Sequence, residues 1–220
     1  MADHPQNGAA PDKDRGAAFW DAKFAASDYV YGTRPNAFVA DQSYRLNPGS
    51  RLLAVADGEG RNGVWLAAQG HKVTSIDFSP RALQKAAALA LGRSVALRTV
   101  CADLLDWDWP ADTYDAAAMT FLHLPPDHRR PVLAGIARTL KPGGLLLAEG
   151  FAPAQVGMPS GGPRDPALLY DPEVLSDELA AVGLAVVQCA VAEVTLSEGR
   201  GHNGPAMVTR LVARKPEEKA

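Results

Sequence analysis

The sequence has little cysteine, no excess of basic residues and no long apolar run. Its 22 lysine and arginine residues against 25 acidic residues give a net charge of −3, and no basic block offers a surface for a phosphate backbone. Cys101 and Cys189 lie far apart in apolar segments, which indicates buried thiols in a reducing compartment and not a disulfide or metal framework. No apolar run approaches the roughly 18 residues of a membrane helix. We therefore expect a cytoplasmic protein with no nucleic-acid, membrane or obligate protein partner.

The 220 residues are 47% hydrophobic and 21% charged, ordinary globular values that predict one domain with additions. The polar residues 1–18 predict a flexible tail, and residues 19–220 a single domain. Within it, the aromatic-rich residues 19–50 predict a cap, residues 51–151 a cofactor-binding core, and residues 152–220 a substrate loop, a helix and an edge hairpin.

Strand and helix patterns alternate along the core. Arg51 begins the buried strand RLLAV, a short helix follows, and HKVTSID and SVALRTVCADLLD predict two more strands, each ending in an acid. Two further strands, YDAAAMTFLHL and KPGGLLLAEGF, flank the helix DHRRPVLAGIARTL. This alternation predicts an α/β fold with a Rossmann-like, doubly wound parallel sheet, and the last two strands predict a hairpin.

A glycine turn follows the first strand. GEGRNG, Gly58 to Gly63, matches the fingerprint of nucleotide-binding folds at a strand-to-helix junction, although glycines also serve simply to make a tight turn. Asp77 ends the second strand, 17 residues after Gly60, where a carboxylate can hold both ribose hydroxyls. Together the two features predict an adenosine cofactor.

The charge of the turn indicates which cofactor. Asp57 and Glu59 flank Gly58 and would repel a pyrophosphate, whereas S-adenosylmethionine carries a sulfonium and an ammonium group that they would attract. Asp103 and Leu104, at the next strand end, are expected to receive the adenine; the alternative for Asp103 is a turn cap. A nicotinamide oxidoreductase would require NADH to bind despite the two acids.

These segments resemble the class I S-adenosylmethionine-dependent methyltransferases. The resemblance rests on LLAVADGEGRNGVWLA, SIDFSP, CADLLD and LKPGG, and covers about Phe19 to Lys215. YVYGTRPNAFV, SGGPRDPALLY and EGRGHNGPAMVTR are similar to the small bacterial tellurite-resistance and thiopurine methyltransferase-like group. The resemblance implies about seven strands, mostly parallel with a C-terminal antiparallel edge hairpin, and ligands at the carboxyl ends of the parallel strands.

The chain departs from this family at the start of the turn. Where the family commonly has an acid, any residue and a glycine, the sequence has Ala54, Val55 and Ala56. Asp57 is a candidate to compensate, and weakened cofactor affinity is the alternative.

The predicted site residues fall into two groups. The cofactor group combines the turn, the strand ends and neighbouring residues: Trp20, Tyr31, Asp57, Gly58, Glu59, Gly60, Asn62, Asp77, Phe78, Ser79, Asp103, Leu104 and Thr120. The catalytic or substrate-pocket candidates are His123, His202, Tyr31 and Tyr170. His123 is a base, a substrate contact or a half-buried strand-end residue, and His202 lies in an exposed hairpin tip or in a turn folded over the pocket.

No His–carboxylate dyad is evident after the fourth strand, which favours a small soft nucleophile. We predict S-methylation of a small thiol or sulfide, such as hydrogen sulfide or methanethiol, or of a related chalcogen compound. The alternatives are O- or N-methylation of a small metabolite and a cofactor-binding module with lost or residual catalysis.

Overall fold

The computed structural model describes residues 16–217. Its α-helices are α1 (Ala17–Lys23), α2 (Ala37–Gln42), α3 (Arg61–Ala68), α4 (Pro80–Gly92), α5 (Pro126–Thr139) and α6 (Pro172–Ala181). Its strands are β1 (Arg51–Val55), β2 (Lys72–Asp77), β3 (Arg98–Cys101), β4 (Tyr114–Thr120), β5 (Leu140–Phe151), β6 (Ala185–Glu198) and β7 (His202–Arg214). Short 3-10 helices span Ser43–Arg45, Pro153–Gln155 and Pro166–Leu168.

The seven strands form one sheet in the order β3-β2-β1-β4-β5-β7-β6. Strands β1 to β5 pair in parallel, and β7 pairs antiparallel with both β5 and β6. The predicted fold class is therefore confirmed, including the antiparallel edge hairpin. Strand order reverses between β1 and β4, and in such sheets ligands bind beyond the carboxyl ends of the strands at this point.

Helices cover both faces of the sheet because successive residues of β1 point to opposite sides. Leu53 and Val55 face a core completed by α5 and α6, whereas Leu52 and Ala54 face a second core with α2 and α3. All four β1 residues are almost fully buried. This double burial holds the end of β1, and the turn that follows it, in a fixed position.

The cap and the tip of the β6–β7 hairpin pack against each other. Gly201 donates its N–H to the carbonyl of Val30 at 3.1 Å, and Arg34 donates to the carbonyl and hydroxyl of Ser197. Gly199 has a positive φ and lies so close to the cap backbone around Val30 that a Cβ would collide with it. Cap and hairpin tip together roof the carboxyl edge of the sheet.

Three expectations need correction. The third strand is only the four residues of β3, because this edge segment is largely exposed and pairs on one side alone, so Asp103 follows it at a distance of two residues. Cys101 is exposed and Cys189 half-buried, although both are free thiols. Residues 17 and 18 begin α1 and so are not part of a tail; residues 1–15 of the predicted tail lie outside the described residues.

None of the helices within residues 16–217 has the length and apolarity to cross a membrane.

Candidate functional site

The turn after β1 brings three residues of positive φ together. Ala56 has φ 48°, Gly58 φ 58° and Gly60 φ 85°. A Cβ on Gly60 would lie 2.6 Å from the Cβ of Ala86, so helix α4 can pack here only against a glycine. Ala56, by contrast, occupies the left-handed region with a side chain, which is unfavourable for an L-residue. The departure from the family pattern is thus a point of local backbone strain.

Asp57 faces inward from the turn. Its carboxylate accepts hydrogen bonds from the Ser75 hydroxyl at 2.9 Å and from the Gly63 N–H at 3.1 and 3.2 Å. Burial raises the pKa of Asp57 to about 7, against the opposing effect of these hydrogen bonds. Asp57 therefore ties the turn to β2 and helix α3, although one side of it lines the cleft.

Glu59 is also engaged by the protein. It accepts a hydrogen bond from the Val30 N–H at 2.7 Å and forms an ion pair with Lys85. The charge reasoning from sequence treated Glu59 and Asp57 as free negative charges facing the cofactor, and this premise is wrong for Glu59. Arg61, one residue into α3, adds a positive charge to the same cleft.

Two adjoining cavities open at the carboxyl ends of the parallel strands. The first has a volume of about 370 Å³ and the second about 380 Å³. Residues that line both are Trp20, Ala56, Asp77, Phe78, Leu122 and His123. The first cavity contains the glycine turn, and the second is a mostly apolar slot beside β3 and α5. A long ligand with two unlike ends fits this arrangement.

Asp77 lies where the two cavities meet. Its Oδ2 accepts the Gly58 N–H and its Oδ1 accepts the Ser79 N–H, both at 2.9 Å. The Phe78 N–H also interacts with this carboxylate, and the acceptor capacity that remains faces the cavities. Burial raises the pKa of Asp77, in opposition to its backbone hydrogen bonds. A ribose diol, which offers two donors side by side, matches this carboxylate.

The second cavity contains the other predicted adenine contacts. Asp103, Leu104 and Phe78 line it, and Asp103 also caps its own turn by accepting the Leu105 N–H at 2.9 Å. The two alternatives for Asp103, a turn cap and an adenine contact, are compatible, because a carboxylate can accept hydrogen bonds from both a backbone amide and a ligand. These residues fit the adenosine half of S-adenosylmethionine.

The remaining cofactor candidates divide by position. Asn62 donates to the Thr120 hydroxyl at 2.9 Å, and both residues line the first cavity. Gly60 and Ser79 lie behind the walls; Ser79 caps α4 and donates to Asp21 of α1 at 2.8 Å. Trp20 on α1 forms a wall of both cavities.

Aromatic rings close the far end of the first cavity. The His202 ring packs against Tyr31, Phe121 and Phe151, with ring centroids 4.6, 4.4 and 5.1 Å away. Phe121 directly follows β4 and has φ 53°, a backbone conformation that a bulky residue rarely adopts. Its ring packs against His202 at this end of the cavity. Lys23 of α1 lies over the same end and donates to the Tyr31 hydroxyl at 2.6 Å.

His202 is buried in this wall, and is not the exposed turn that we considered as an alternative. Its Nδ1 lies 3.2 Å from Oε2 of Glu198, which the hairpin register sets directly opposite. Burial lowers the pKa of His202, although Glu198 acts in the other direction. The imidazole is therefore neutral near pH 7. Its Nε2 has no hydrogen-bond partner within residues 16–217 and is not among the fully buried unpaired atoms, so this nitrogen is open to the cleft.

His123 lines the cleft as a half-buried residue after β4, whereas Tyr170 is not in the pocket where we expected it. Nδ1 of His123 lies 2.8 Å from the Leu168 carbonyl, and Nε2 accepts the Phe151 N–H at 3.3 Å. Both ring nitrogens are thus held by backbone, so His123 lines the cleft without offering a base. Tyr170 does not line either cavity: it is fully buried, and its hydroxyl donates to the Leu122 carbonyl at 2.6 Å. Tyr170 supports the floor beneath His123.

Sequence reasoning missed a buried polar network behind the cleft. Arg61 pairs with Glu198 at 2.8 Å, Asn36 donates to Glu198 at 3.0 Å and to Glu149 at 2.6 Å, and Arg210 pairs with Glu149 at 2.7 Å. A signal for one part was present. Glu198 and His202 flank a three-residue glycine turn, and residues so placed in a hairpin lie opposite each other.

Comparisons with known proteins agree with this architecture. Residues 52–144 match the family model described as a methyltransferase domain. The chain is 33% identical over 109 residues to the demethylmenaquinone methyltransferase of Tropheryma whipplei, covering 49% of this chain and 44% of that protein. Residues 52–144 form a methyltransferase domain. The predicted resemblance to the class I S-adenosylmethionine-dependent methyltransferases is confirmed, and the predicted cofactor is the one that this family uses.

Solved structures match the fold over most of the chain. A structure determined for the conversion of a disulfide bond into a thioacetal group during echinomycin biosynthesis has a TM-score of 0.74 at 20% identity, covering 93% of both chains. TehB from Haemophilus influenzae has a TM-score of 0.66 at 16% identity, covering 90% of this chain and 66% of that one. At these identities the likeness concerns the fold. The curated relative is matched over less than half its length.

Proposed function

We propose that the protein transfers the methyl group of S-adenosylmethionine to a small-molecule nucleophile, foremost a small thiol or sulfide. The observation that carries the proposal is the His202 imidazole, held by Glu198 in the aromatic end of the cavity that also contains the glycine turn and Asp77. When bound, the cofactor supplies an electrophilic methyl carbon and a sulfur that keeps the electron pair of the broken bond. The chain's own residues then have to orient an acceptor, exclude water and take a proton.

The acceptor end of the cavity is lined by aromatic rings, with the polar groups of His202 and Lys23 beside them. Tyr31, Phe121 and Phe151 enclose it, and the roof of cap and hairpin tip covers it. Since the glycine turn and Asp77 occupy the other end, the space left for an acceptor suits a small molecule. Aromatic walls also favour a polarisable nucleophile such as sulfur, which loses little on leaving water.

Acidity supports a thiol over an alcohol. A neutral imidazole with an ordinary pKa of about 6.5 accepts a proton from a thiol of pKa about 8.5 at a cost of about 3 kcal/mol. The corresponding cost for a phenol of pKa about 10 is about 5 kcal/mol, and for an aliphatic hydroxyl near the value of water, about 15.7, it exceeds about 12 kcal/mol. The lowered pKa of His202 raises all three costs equally. The match is therefore best for a thiol or hydrogen sulfide.

Methylation of an acidic aromatic hydroxyl or ring nitrogen is the second candidate. It is favoured by the partly exposed ring of Phe121, which lines the cavity and can stack on a flat acceptor. Such an acceptor would have to be more acidic than an ordinary phenol to pass its proton to His202. We propose no nucleic-acid, membrane or obligate protein partner for either reaction.

An acceptor screen with a fixed cofactor concentration tests the proposal. The panel comprises hydrosulfide, methanethiol, an aromatic thiol, a nitrophenol, an aliphatic alcohol and a primary amine, with S-adenosylhomocysteine as the measured product. We expect the thiols to turn over fastest. Turnover of the alcohol or amine without the thiols would refute the thiol assignment. Tight cofactor binding without turnover of any acceptor would instead support the cofactor-binding module.

A further inference from the structure

Glu198 lies at the centre of the buried network, and both of its carboxylate oxygens have partners there. Oε1 accepts from Asn36 at 3.0 Å and pairs with Arg61 at 2.8 Å, while Oε2 faces Nδ1 of His202 at 3.2 Å. The carboxylate is 9% exposed, and its pKa is lowered to about 2 because its partners' hydrogen bonds and positive charges outweigh burial. It is therefore an anion throughout the working pH range.

An ionised carboxylate can only accept hydrogen bonds. Nδ1 of His202 must therefore carry the proton that is shared with Glu198, which leaves the lone pair on Nε2, the nitrogen open to the cleft. The same carboxylate stabilises the imidazolium that forms when Nε2 takes a proton. This is the division of roles found in His–carboxylate dyads of hydrolytic enzymes.

The charges around His202 come from several elements. Glu198 of β6 favours its protonation, whereas Arg61 of α3 and Lys23 of α1 oppose it. Tyr31 of the cap adds a titratable hydroxyl, and β4 and β5 contribute the uncharged rings of Phe121 and Phe151. The charges of Arg61 and Glu198 offset each other, so the positive charge of Lys23 remains to oppose protonation of the imidazole.

We propose that Glu198 is a positioning residue for methyl transfer, fixing His202 as the Nδ1–H tautomer so that Nε2 receives the acceptor's proton. The inference rests on the proposed function for its substrate, but the tautomer itself is a property of the protein alone. In the reaction, the acceptor's S–H proton would move to Nε2 while its sulfur bonds to the methyl carbon and the bond from that carbon to the cofactor's sulfur breaks, with the electron pair going to the cofactor's sulfur. The proton on Nε2 would then leave to solvent. Arg61 holds Glu198 from the side of the cofactor turn.

The first experiment observes the tautomer without any turnover. Long-range ¹H–¹⁵N NMR of the full chain at pH 7, with the His202 signals assigned by their loss in His202→Gln, should show a protonated Nδ1 and an unprotonated Nε2. In Glu198→Gln the amide can donate to Nδ1, so the Nε2–H form should appear. A wild-type His202 protonated on Nε2 or on both nitrogens at pH 7 would overturn the inference. An unchanged tautomer in Glu198→Gln would do so as well.

The second experiment uses whichever acceptor the screen identifies. We expect His202→Gln to lower kcat by about 10²–10⁴-fold, the usual contribution of a positioned base, and Glu198→Gln to fall in the same range. Because Glu198 acts through His202, adding Glu198→Gln to His202→Gln should change kcat by less than about 3-fold, as expected for residues that act as one unit. Full multiplication of the two effects would refute the positioning role.

Glu178→Gln is the matched control. Glu178 is also buried and paired with an arginine, Arg129, but between α5 and α6, away from the reacting end. Its variant should lose stability while its kcat and acid pH limb stay unchanged. Glu198→Gln should shift the acid limb of the kcat–pH profile to lower pH, because the carboxylate that favours protonation of His202 is gone.

A chain that binds cofactor and has the predicted tautomer but turns over no acceptor would count against the proposed function alone.

Discussion

Replacing Ala56 with glycine should stabilise the protein and tighten cofactor binding. Ala56 has φ 48°, and an L-residue in this region costs about 1–2 kcal/mol that glycine does not incur. Glycine loses about 0.5–1 kcal/mol more conformational entropy on folding. The free energy of unfolding should therefore rise by about 0–1.5 kcal/mol, equivalent to a Tm increase of up to about 6 °C for a domain of this size.

Ala54 offers the matched control for this substitution. It lies two residues earlier in the interior of β1, is 1% exposed and pairs on both sides. Ala54→Gly gains no relief of strain and loses a buried methyl, worth about 0.8 kcal/mol, in addition to the entropy term. We expect its Tm to fall by several degrees. The two Ala→Gly changes should thus have opposite signs.

Thermal unfolding and calorimetric titration with S-adenosylmethionine measure both effects. Ala56 lines both cavities, so removal of its methyl group should lower the Kd several-fold, while Ala54→Gly leaves the Kd nearly unchanged. A loss of Tm in Ala56→Gly equal to that in Ala54→Gly would refute the strain at position 56. A higher Kd in Ala56→Gly would refute the idea that the Ala56 methyl group limits cofactor binding.

Three further predictions concern other parts of the cleft. Asp57 has a pKa of about 7 in the folded state against an ordinary 3.8, so its contribution to the free energy of unfolding falls as pH rises from about 4 to 7. When the free energy of unfolding in urea is plotted against pH, Asp57→Asn should therefore show a smaller decline than the wild type over this range. An equal decline in both proteins would contradict this. Phe121→Ala should raise kcat/KM for bulky thiols relative to kcat/KM for small thiols. An unchanged preference would show that Phe121 does not line the acceptor site. Asp21→Ala removes the hydrogen bonds that connect α1 to Ser79 and Arg81. Tryptic cleavage after Lys23 should then become several-fold faster. An unchanged cleavage rate would show that other contacts hold α1 in place.

The core could be predicted from sequence because its patterns are local and redundant. Buried strands, helix caps such as Ser79 and the glycines of the turn all indicate the same alternation, and the structure has the same order of strands. Asp77 ends β2 as predicted for the acid of this motif. The predicted length of β3 was wrong because periodicity cannot distinguish a short, half-exposed edge strand from the irregular segment that continues it.

The acceptor end of the site could not be predicted in the same way. It is assembled from residues far apart in the chain. The sequence shows no His–carboxylate dyad after the fourth strand, and the carboxylate beside His202 is identified only by the pairing of β6 with β7. Glu198 and His202 meet through the hairpin register, and Arg61 reaches Glu198 from α3. Tyr170 could not be assigned from its aromatic character alone, since packing inside the core and lining a pocket need the same residue type.

The most direct test of the account is calorimetric titration of the purified chain with S-adenosylmethionine and, separately, with NADH, in the wild type and in Asp77→Asn. We predict that S-adenosylmethionine binds and NADH does not. We expect Asp77→Asn to weaken binding by about 10–100-fold, the effect of losing charge-assisted hydrogen bonds, while Asp115→Asn at the opposite edge of the sheet leaves it unchanged. Binding of NADH in preference, or an Asp77→Asn variant with undiminished affinity for S-adenosylmethionine, would contradict the assignment of this cleft.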